Sequence, residues 1–189
     1  MDRGAGRKIL TIPNLLSLFR LVLAGAFAAV YLTADSQTDY YKAVGVLVLS
    51  GLTDFADGKI ARHFHMVSEL GKVLDPFADK LTQAVVALCL CSRYGPMKLL
   101  FLVLVVKELT QAVVGGLAVK RAGRNEGALL CGKVTTFYLY AMMCFLLLVP
   151  EAPMAVDYVL ILIGVGLLIW SFGTYLVTFR GMLREAKGH

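Results

Sequence analysis

The sequence predicts an all-α integral membrane protein with six transmembrane helices and both termini in the cytoplasm. Of its 189 residues, 58% are hydrophobic and only 17% are charged, whereas soluble domains carry about 45–50% apolar and about 25% charged residues. Apolar runs close to the roughly 20 residues that cross a bilayer as a helix recur along the whole chain. A transmembrane barrel would show short alternating segments instead.

Polar or turn-forming segments divide the apolar runs into six spans. The breaks include the polar segment 33–39, a Gly-Pro turn signal within 92–98 and the charged segment 120–127. An interfacial amphipathic helix is expected for residues 1–11, and the whole chain 1–189 is expected to be a single domain. The predicted spans are 12–33, 40–62, 68–92, 97–119, 131–149 and 156–178.

Lysine and arginine residues predict the orientation in the membrane. Twelve of them fall in the termini and connections that six spans place on one side, and three fall on the other side. Cytoplasmic loops carry an excess of Lys and Arg, so both termini and the connection between the second and third spans are expected in the cytoplasm. The net charge of +6 reflects this bias. The sequence has no basic run with interleaved aromatic residues, so a nucleic-acid partner is not expected.

Four aspartates interrupt the apolar pattern in the second and third spans. Asp54 and Asp57 are three residues apart, and Asp75 and Asp79 are four residues apart, so each pair occupies one face of its helix. Because a short connection makes these two spans antiparallel, all four carboxylates are expected at one depth in the cytoplasmic half of the membrane. Carboxylates that lie close together in apolar surroundings need cations to stay ionised.

The donor type indicates which cations these are. Carboxylate oxygens without Cys or His suit Mg²⁺ or Mn²⁺, and a set of four can hold two ions. Two such ions stabilise the attacking and leaving oxygens of a phosphoryl transfer. Ion pairs with neighbouring Lys and Arg, or a divalent-cation transporter, are the alternatives. Intramembrane acids are rare without a function, and their clustering at one depth disfavours a transport pathway.

The stretch from Asp54 to Asp79 resembles the signature of the CDP-alcohol phosphatidyltransferases. It matches Asp-x2-Asp-Gly-x2-Ala-Arg-x8-Gly-x3-Asp-x3-Asp, eight positions at fixed spacing. The resemblance implies a six-span enzyme of the cell membrane that binds CDP-diacylglycerol at the cytoplasmic face. Such an enzyme transfers the phosphatidyl group to an acceptor alcohol and releases CMP. The resemblance also implies a homodimer.

The resemblance assigns roles to the matched residues. Asp54, Asp57, Asp75 and Asp79 correspond to the metal ligands, and Asp79 corresponds to the general base that accepts the proton of the acceptor hydroxyl. The residues expected to contact the CDP-lipid are Asp54, Asp57, Gly58, Ala61, Arg62, Gly71 and Asp75.

The acceptor alcohol stays open between glycerol 3-phosphate, ranked first, and phosphatidylglycerol, which gives cardiolipin. The segments 11–20 and 132–136 resemble segments of phosphatidylglycerophosphate synthases and cardiolipin synthases. Glycerophosphate-using relatives carry Arg-Glu in the fourth span and a further Arg on the same face, where this chain has Lys107-Glu108 and Gly115. Lys is a poorer partner than Arg for a phosphomonoester. The expected acceptor-binding or phosphate-binding residues are Asn14, Arg20, Lys107, Arg121 and Lys133.

These residues also fit structural roles. Asn14 and Arg20 fit a helix start and an arginine that extends along its helix toward the interface, and Lys107 with Glu108 fits a buried ion pair. An intramembrane prenyltransferase is the alternative chemistry, since it also uses aspartate-rich helices, Mg²⁺ and a diphosphate. That class has two separate aspartate motifs in a larger bundle.

Overall fold

Six α-helices and no β-strand make up the described part of the chain, which in this computed structural model comprises residues 12–63, 71–122 and 130–185. Each helix falls on one predicted span, and the largest difference is the later end of the last helix. The interfacial helix expected for residues 1–11 lies outside the described residues. The helices are α1 Ile12–Leu32, α2 Gln37–His63, α3 Gly71–Leu90, α4 Met97–Ala122, α5 Leu130–Leu148 and α6 Met154–Glu185.

Four segments within the described ranges are long and apolar enough to cross a membrane, and they belong to α1, α4, α5 and α6. Helices α2 and α3 are comparably long, but they carry the aspartate pairs and several Lys or Arg residues. The protein is therefore an all-helical, membrane-embedded protein. The crossing of the membrane by α2 and α3 and the side on which the termini lie stay predictions. The four segments are Leu15–Leu32, Met97–Leu117, Leu130–Leu148 and Met154–Met182.

The chain forms two compact units, Met1–Cys89 and Leu90–His189, and its organisation as a single domain stays a prediction. In the first unit α1 packs against α2. The short connection between them and the edge-on contact of Tyr31 with Tyr40, at 5.5 Å between ring centroids, make these helices antiparallel neighbours. The buried side chains include Ser17, Arg20, Ala24 and Phe27 on α1 and Ala43, Leu47 and Ser50 on α2.

Ser36 and Asp39 define the start of α2. The Ser36 hydroxyl donates to Asp39 Oδ2 at 2.7 Å, and the Asp39 N–H donates to the Ser36 carbonyl at 3.0 Å. Serine is a preferred N-cap, and an acidic residue in the first turn complements the helix dipole. Lys42 Nζ lies 2.7 Å from Asp39 Oδ1. The hydrogen bonds from Lys42 and Ser36 lower the pKa of Asp39 to about 2, so this carboxylate stays charged at neutral pH.

In the second unit, α4 and α5 each pack against α6. Side-chain hydroxyls connect α5 with α6. The Tyr138 hydroxyl donates to the Leu160 carbonyl at 2.9 Å. The Thr135 hydroxyl is shared between the Cys131 carbonyl of its own helix at 2.8 Å and the Leu167 carbonyl of α6 at 3.2 Å. Side-chain hydrogen bonds between membrane helices contribute about 0.6–2 kcal/mol each, so these bonds help to hold α5 in register on α6.

Glycines on α4, α5 and α6 let these helices approach one another closely, and Gly164 and Gly115 are two examples. A Cβ atom at Gly164 would lie 3.0 Å from Leu100 Cδ1 of α4 and 3.3 Å from Leu139 Cδ2 of α5. A Cβ atom at Gly115 of α4 would lie 2.9 Å from Phe179 Cζ of α6. Small residues permit this closeness between membrane helices, where packing drives association.

The substitution Gly115→Ala is expected to lower the apparent melting temperature, because the added methyl group overlaps the Phe179 ring and overpacking costs about 1–3 kcal/mol. Gly116→Ala is the matched control, since a Cβ atom there meets nothing within 4 Å and alanine favours a helix over glycine by about 1 kcal/mol. Thermal unfolding of the purified protein in detergent measures both. Equal melting temperatures for the two variants would contradict the close contact.

Candidate active site

The four aspartates lie on two helices, at the predicted spacings. Asp54 and Asp57 fall in the C-terminal half of α2, and Asp75 and Asp79 fall in the N-terminal half of α3. Of these four, Asp79 is the one whose side chain is described. The meeting of all four carboxylates therefore stays a prediction. The other signature positions are Gly58, Ala61 and Arg62 in the last two turns of α2 and Gly71 at the first residue of α3.

Asp79 lies at the edge of the buried face of α3. Its side chain is partly exposed, whereas Ala78 and Thr82 beside it are buried. Pro76 stands between the two aspartates of this helix, and a proline there removes one hydrogen bond of the helical ladder. A partly exposed carboxylate is compatible with the role of general base, which stays a prediction for Asp79.

Arg20 lies on the buried face of α1. It is 2% exposed, which disfavours the alternative of an arginine extending toward the interface. Arg20 precedes Tyr31 by as many residues as Gly51 follows Tyr40, so both lie roughly 16 Å from the tyrosine contact at 1.5 Å per residue. Because α1 and α2 are antiparallel, Arg20 is level with the helical turn that precedes Asp54.

Gln83 is a candidate binding residue that was not predicted from the sequence. It lies on α3, four residues after Asp79, and is 3% exposed. Its Nε2 atom is buried and has no hydrogen-bond partner within the described ranges. The available signal in the sequence was an amide residue one helical turn beyond Asp79, in the mostly apolar second half of the helix.

Lys107 forms a buried ion pair with the residue that follows it. Its Nζ atom donates to Glu108 Oε1 at 2.6 Å, and Lys107 is 5% exposed. The same Nζ atom lies 5.8 Å from the centroid of the Tyr175 ring, within the range of a cation–π interaction. This geometry supports the interpretation of Lys107 and Glu108 as a structural pair.

Phe179 occupies the space beside Gly115. Gly115 stands where glycerophosphate-using relatives are expected to carry a further Arg. The Phe179 ring lies 2.9 Å from where a Cβ atom would stand. Tyr175 is placed similarly beside Gly132, with its hydroxyl oxygen 2.7 Å from the equivalent Cβ position. The other expected acceptor-binding residues are the exposed Lys133 in α5, together with Asn14 in α1 and Arg121 in α4, whose side chains are outside the description.

The chain combines apolar helices of membrane length with two pairs of aspartates, each pair about one helical turn apart. The chain belongs to the CDP-alcohol phosphatidyltransferase family, whose family model matches residues 10–170. It is therefore an enzyme of phospholipid synthesis that transfers a phosphatidyl group from CDP-diacylglycerol to an acceptor alcohol and releases CMP. Family membership favours this chemistry over the transporter and prenyltransferase alternatives.

Relatives named for two acceptors resemble this chain. A protein of Mycobacterium tuberculosis named "Putative cardiolipin synthase" is 35% identical over 176 residues, which cover 91% of this chain and 80% of the relative. A Streptomyces coelicolor cardiolipin synthase (CMP-forming) is 35% identical over 144 residues, covering 75% and 66%. An Aquifex aeolicus CDP-diacylglycerol–glycerol-3-phosphate 3-phosphatidyltransferase is 30% identical over 132 residues, covering 69% and 71%.

The substitution Lys107→Met is expected to destabilise the protein, because Glu108 keeps its charge and loses the Lys107 ammonium. Removing one partner of a fully buried pair costs about 3–5 kcal/mol, and we expect about 2 kcal/mol here, since the Glu108 side chain is 20% exposed. The double variant Lys107→Met/Glu108→Gln is the control and should recover most of this loss. Denaturant unfolding in detergent measures both variants, and equal losses would contradict the ion pair.

Proposed function

We propose that the acceptor is phosphatidylglycerol, so that the enzyme forms cardiolipin and CMP, with glycerol 3-phosphate as the second candidate. The arrangement of α4 is the main support. Lys107 is held by Glu108 and lies over Tyr175, and Phe179 fills the space beside Gly115. This order of the two acceptors is the reverse of the order that the sequence suggested.

The charge of the two acceptors explains why α4 matters. Glycerol 3-phosphate ends in a phosphomonoester, which carries a charge of about −1.5 to −2 at pH 7. Phosphatidylglycerol carries its free hydroxyls on a phosphodiester with a single negative charge. A phosphomonoester needs cations, and arginine suits it best. The Lys107–Glu108 pair has no net charge, so this part of α4 is a poor site for a phosphomonoester.

The names of the relatives support the same order. The two relatives above whose names include cardiolipin synthase are each 35% identical to the chain. The Aquifex aeolicus relative, whose name gives glycerol 3-phosphate as the acceptor, is 30% identical over a shorter stretch. It keeps glycerol 3-phosphate as the second candidate.

We further propose that all six helices cross the membrane, that both termini are cytoplasmic, and that the active site faces the cytoplasm. Twelve Lys and Arg residues on the proposed inner side against three on the outer side support this orientation. The aspartate ends of α2 and α3 flank their connection, 64–70, which this topology places inside. A homodimer, the assembly that the family resemblance implies, is part of the same proposal.

The donor set fits two Mg²⁺ or Mn²⁺ ions. Asp54, Asp57, Asp75 and Asp79 supply hard carboxylate oxygens, and their positions on α2 and α3 place each pair about one helical turn apart. We propose that these four residues hold the ions. When bound, the ions would neutralise the diphosphate and stabilise charge on the transferred group.

The remaining residues of the signature would bind and orient the CDP-lipid. Gly58 and Gly71 leave room for close approach of the nucleotide, with Ala61 beside it, and Arg62 neutralises diphosphate charge. Asp79 takes the proton of the acceptor hydroxyl. The acceptor oxygen then forms a bond to the lipid-bearing phosphorus, the bond between that phosphorus and the CMP oxygen breaks, and CMP leaves with the electron pair.

A CMP-release assay tests the acceptor. Purified protein in detergent receives CDP-diacylglycerol, Mg²⁺ or Mn²⁺, and one of five acceptors: phosphatidylglycerol, glycerol 3-phosphate, inositol, inositol phosphate or serine. We expect phosphatidylglycerol to be used at least about tenfold more efficiently than glycerol 3-phosphate, a difference of about 1.4 kcal/mol. The reverse preference would establish the second candidate. Release without any acceptor dependence would contradict both.

The substitution Asp79→Asn is expected to reduce turnover at least about 100-fold, because an amide cannot accept the hydroxyl proton. CDP-lipid binding should be largely kept, since the other three carboxylates remain. The matched control is Asp39→Asn. Asp39 lies in the first turn of α2, at the end away from Asp54 and Asp57, so this substitution should leave turnover unchanged. Turnover close to that of the unmodified enzyme in Asp79→Asn would show that another group is the base.

A further inference from the structure

Gln83 of α3 has a buried hydrogen-bond donor that no described residue accepts. The residue is 3% exposed, and its Nε2 atom is buried without a partner among the residues that the structure describes. The neighbouring Thr82 is equally buried, but its hydroxyl donates to the Ala78 carbonyl at 2.9 Å. Thr82 is thus satisfied within its own helix, and Gln83 is not.

An unpaired amide at this place calls for an explanation. Buried polar groups in folded proteins almost always have a partner, and each exception points to a ligand, a water molecule or a strained site. In a membrane protein the surrounding lipid tails offer no acceptor. A ligand that enters the protein with a carbonyl oxygen would satisfy the Gln83 amide.

The position of Gln83 indicates which part of the substrate could supply this carbonyl oxygen. Gln83 follows Asp79 by four residues and Asp75 by eight, so it continues the aspartate face of α3. It lies roughly 6 Å beyond Asp79 along the helix axis, on the side away from the 64–70 connection. The proposed function places the diphosphate at the aspartates. In CDP-diacylglycerol the acyl ester carbonyls lie a few bonds from the lipid-bearing phosphorus, toward the membrane centre.

We propose that the Gln83 side-chain amide donates a hydrogen bond to an acyl ester carbonyl of CDP-diacylglycerol. The inference rests on the proposed function only for the location of the diphosphate, and it does not depend on which alcohol is the acceptor. The role is one of binding. The amide fixes the depth and rotation of the diacylglycerol part, so that the phosphorus is held in line with the acceptor hydroxyl.

An ester-to-ether comparison tests this hydrogen bond. The ether-linked CDP-dialkylglycerol keeps the diphosphate and the chains but lacks both carbonyls. With the best acceptor from the CMP-release assay, the KM of the unmodified enzyme should be about 3- to 10-fold higher for the ether than for the ester, as expected for one lost hydrogen bond. In Gln83→Met, which keeps the side-chain volume, the two KM values should be equal and close to that of the ether.

Thr82→Val is the matched control. It removes a buried polar group from the neighbouring position, one whose partner is on its own helix, and it should keep the full ester preference. Measuring kcat separately from KM distinguishes a role of Gln83 in lipid binding from a role in positioning the Asp79 carboxylate. If Gln83→Met lowers kcat equally for ester and ether at unchanged KM, Gln83 positions the Asp79 carboxylate and the proposal is wrong.

The comparison does not depend on a folded variant. If the unmodified enzyme binds ester and ether equally well, no donor of the protein forms a hydrogen bond with the ester carbonyls. This result would refute the proposal without the need for a variant. Glycerol 3-phosphate as the preferred acceptor would overturn the proposed acceptor and leave the ester preference standing. An ester preference that persists in Gln83→Met would overturn the role of Gln83 and leave the proposed function intact.

Discussion

Polar groups that enter the membrane helices of this protein need partners within the protein or its substrates, because lipid tails provide none. Much of the described structure follows from this constraint. Thr135 and Tyr138 donate to carbonyls of α6, and Lys107 finds its counter-charge on the next residue. For Gln83, whose amide lacks such a partner among the described residues, we propose that the substrate provides it.

The same constraint applies to both units. In the second unit Gly164 lies against side chains of both α4 and α5, and Lys107 is paired with Glu108. Buried atoms of Gln111, Asp157 and Ser171 have no hydrogen-bond partner among the described residues. The helices of the first unit carry the signature aspartates together with the buried Arg20. Ionisable groups within membrane helices are rare, and they either pair with one another or mark a ligand site. Lys107 and Glu108 stabilise each other, whereas we propose that the CDP-lipid and its metal ions stabilise the signature aspartates of α2 and α3.

Helix positions and the aspartate register could be predicted from the sequence because they depend on local information. Apolar runs of membrane length and turn residues between them place all six helices, and spacings of three or four residues place each aspartate pair about one turn apart. The contact of Gly115 with Phe179 could not be predicted, because it joins two helices whose rotation the apolar pattern leaves undetermined. The same limitation applies to the burial of Arg20 and Gln83. A polar residue in an apolar run does not reveal whether it faces lipid, protein or ligand.

The ion pair of α4 also has a consequence for the biogenesis of the protein. Lys107 and Glu108 are adjacent in sequence, so α4 carries a charge and its counter-charge within a single helix. A single uncompensated charge at the centre of a helix raises the free energy of membrane insertion by about 2.5–3.5 kcal/mol on translocon scales. Because the pair is complete within α4, this helix can enter the bilayer during synthesis before α6 exists. Tyr175 then covers an ammonium group that is already neutralised.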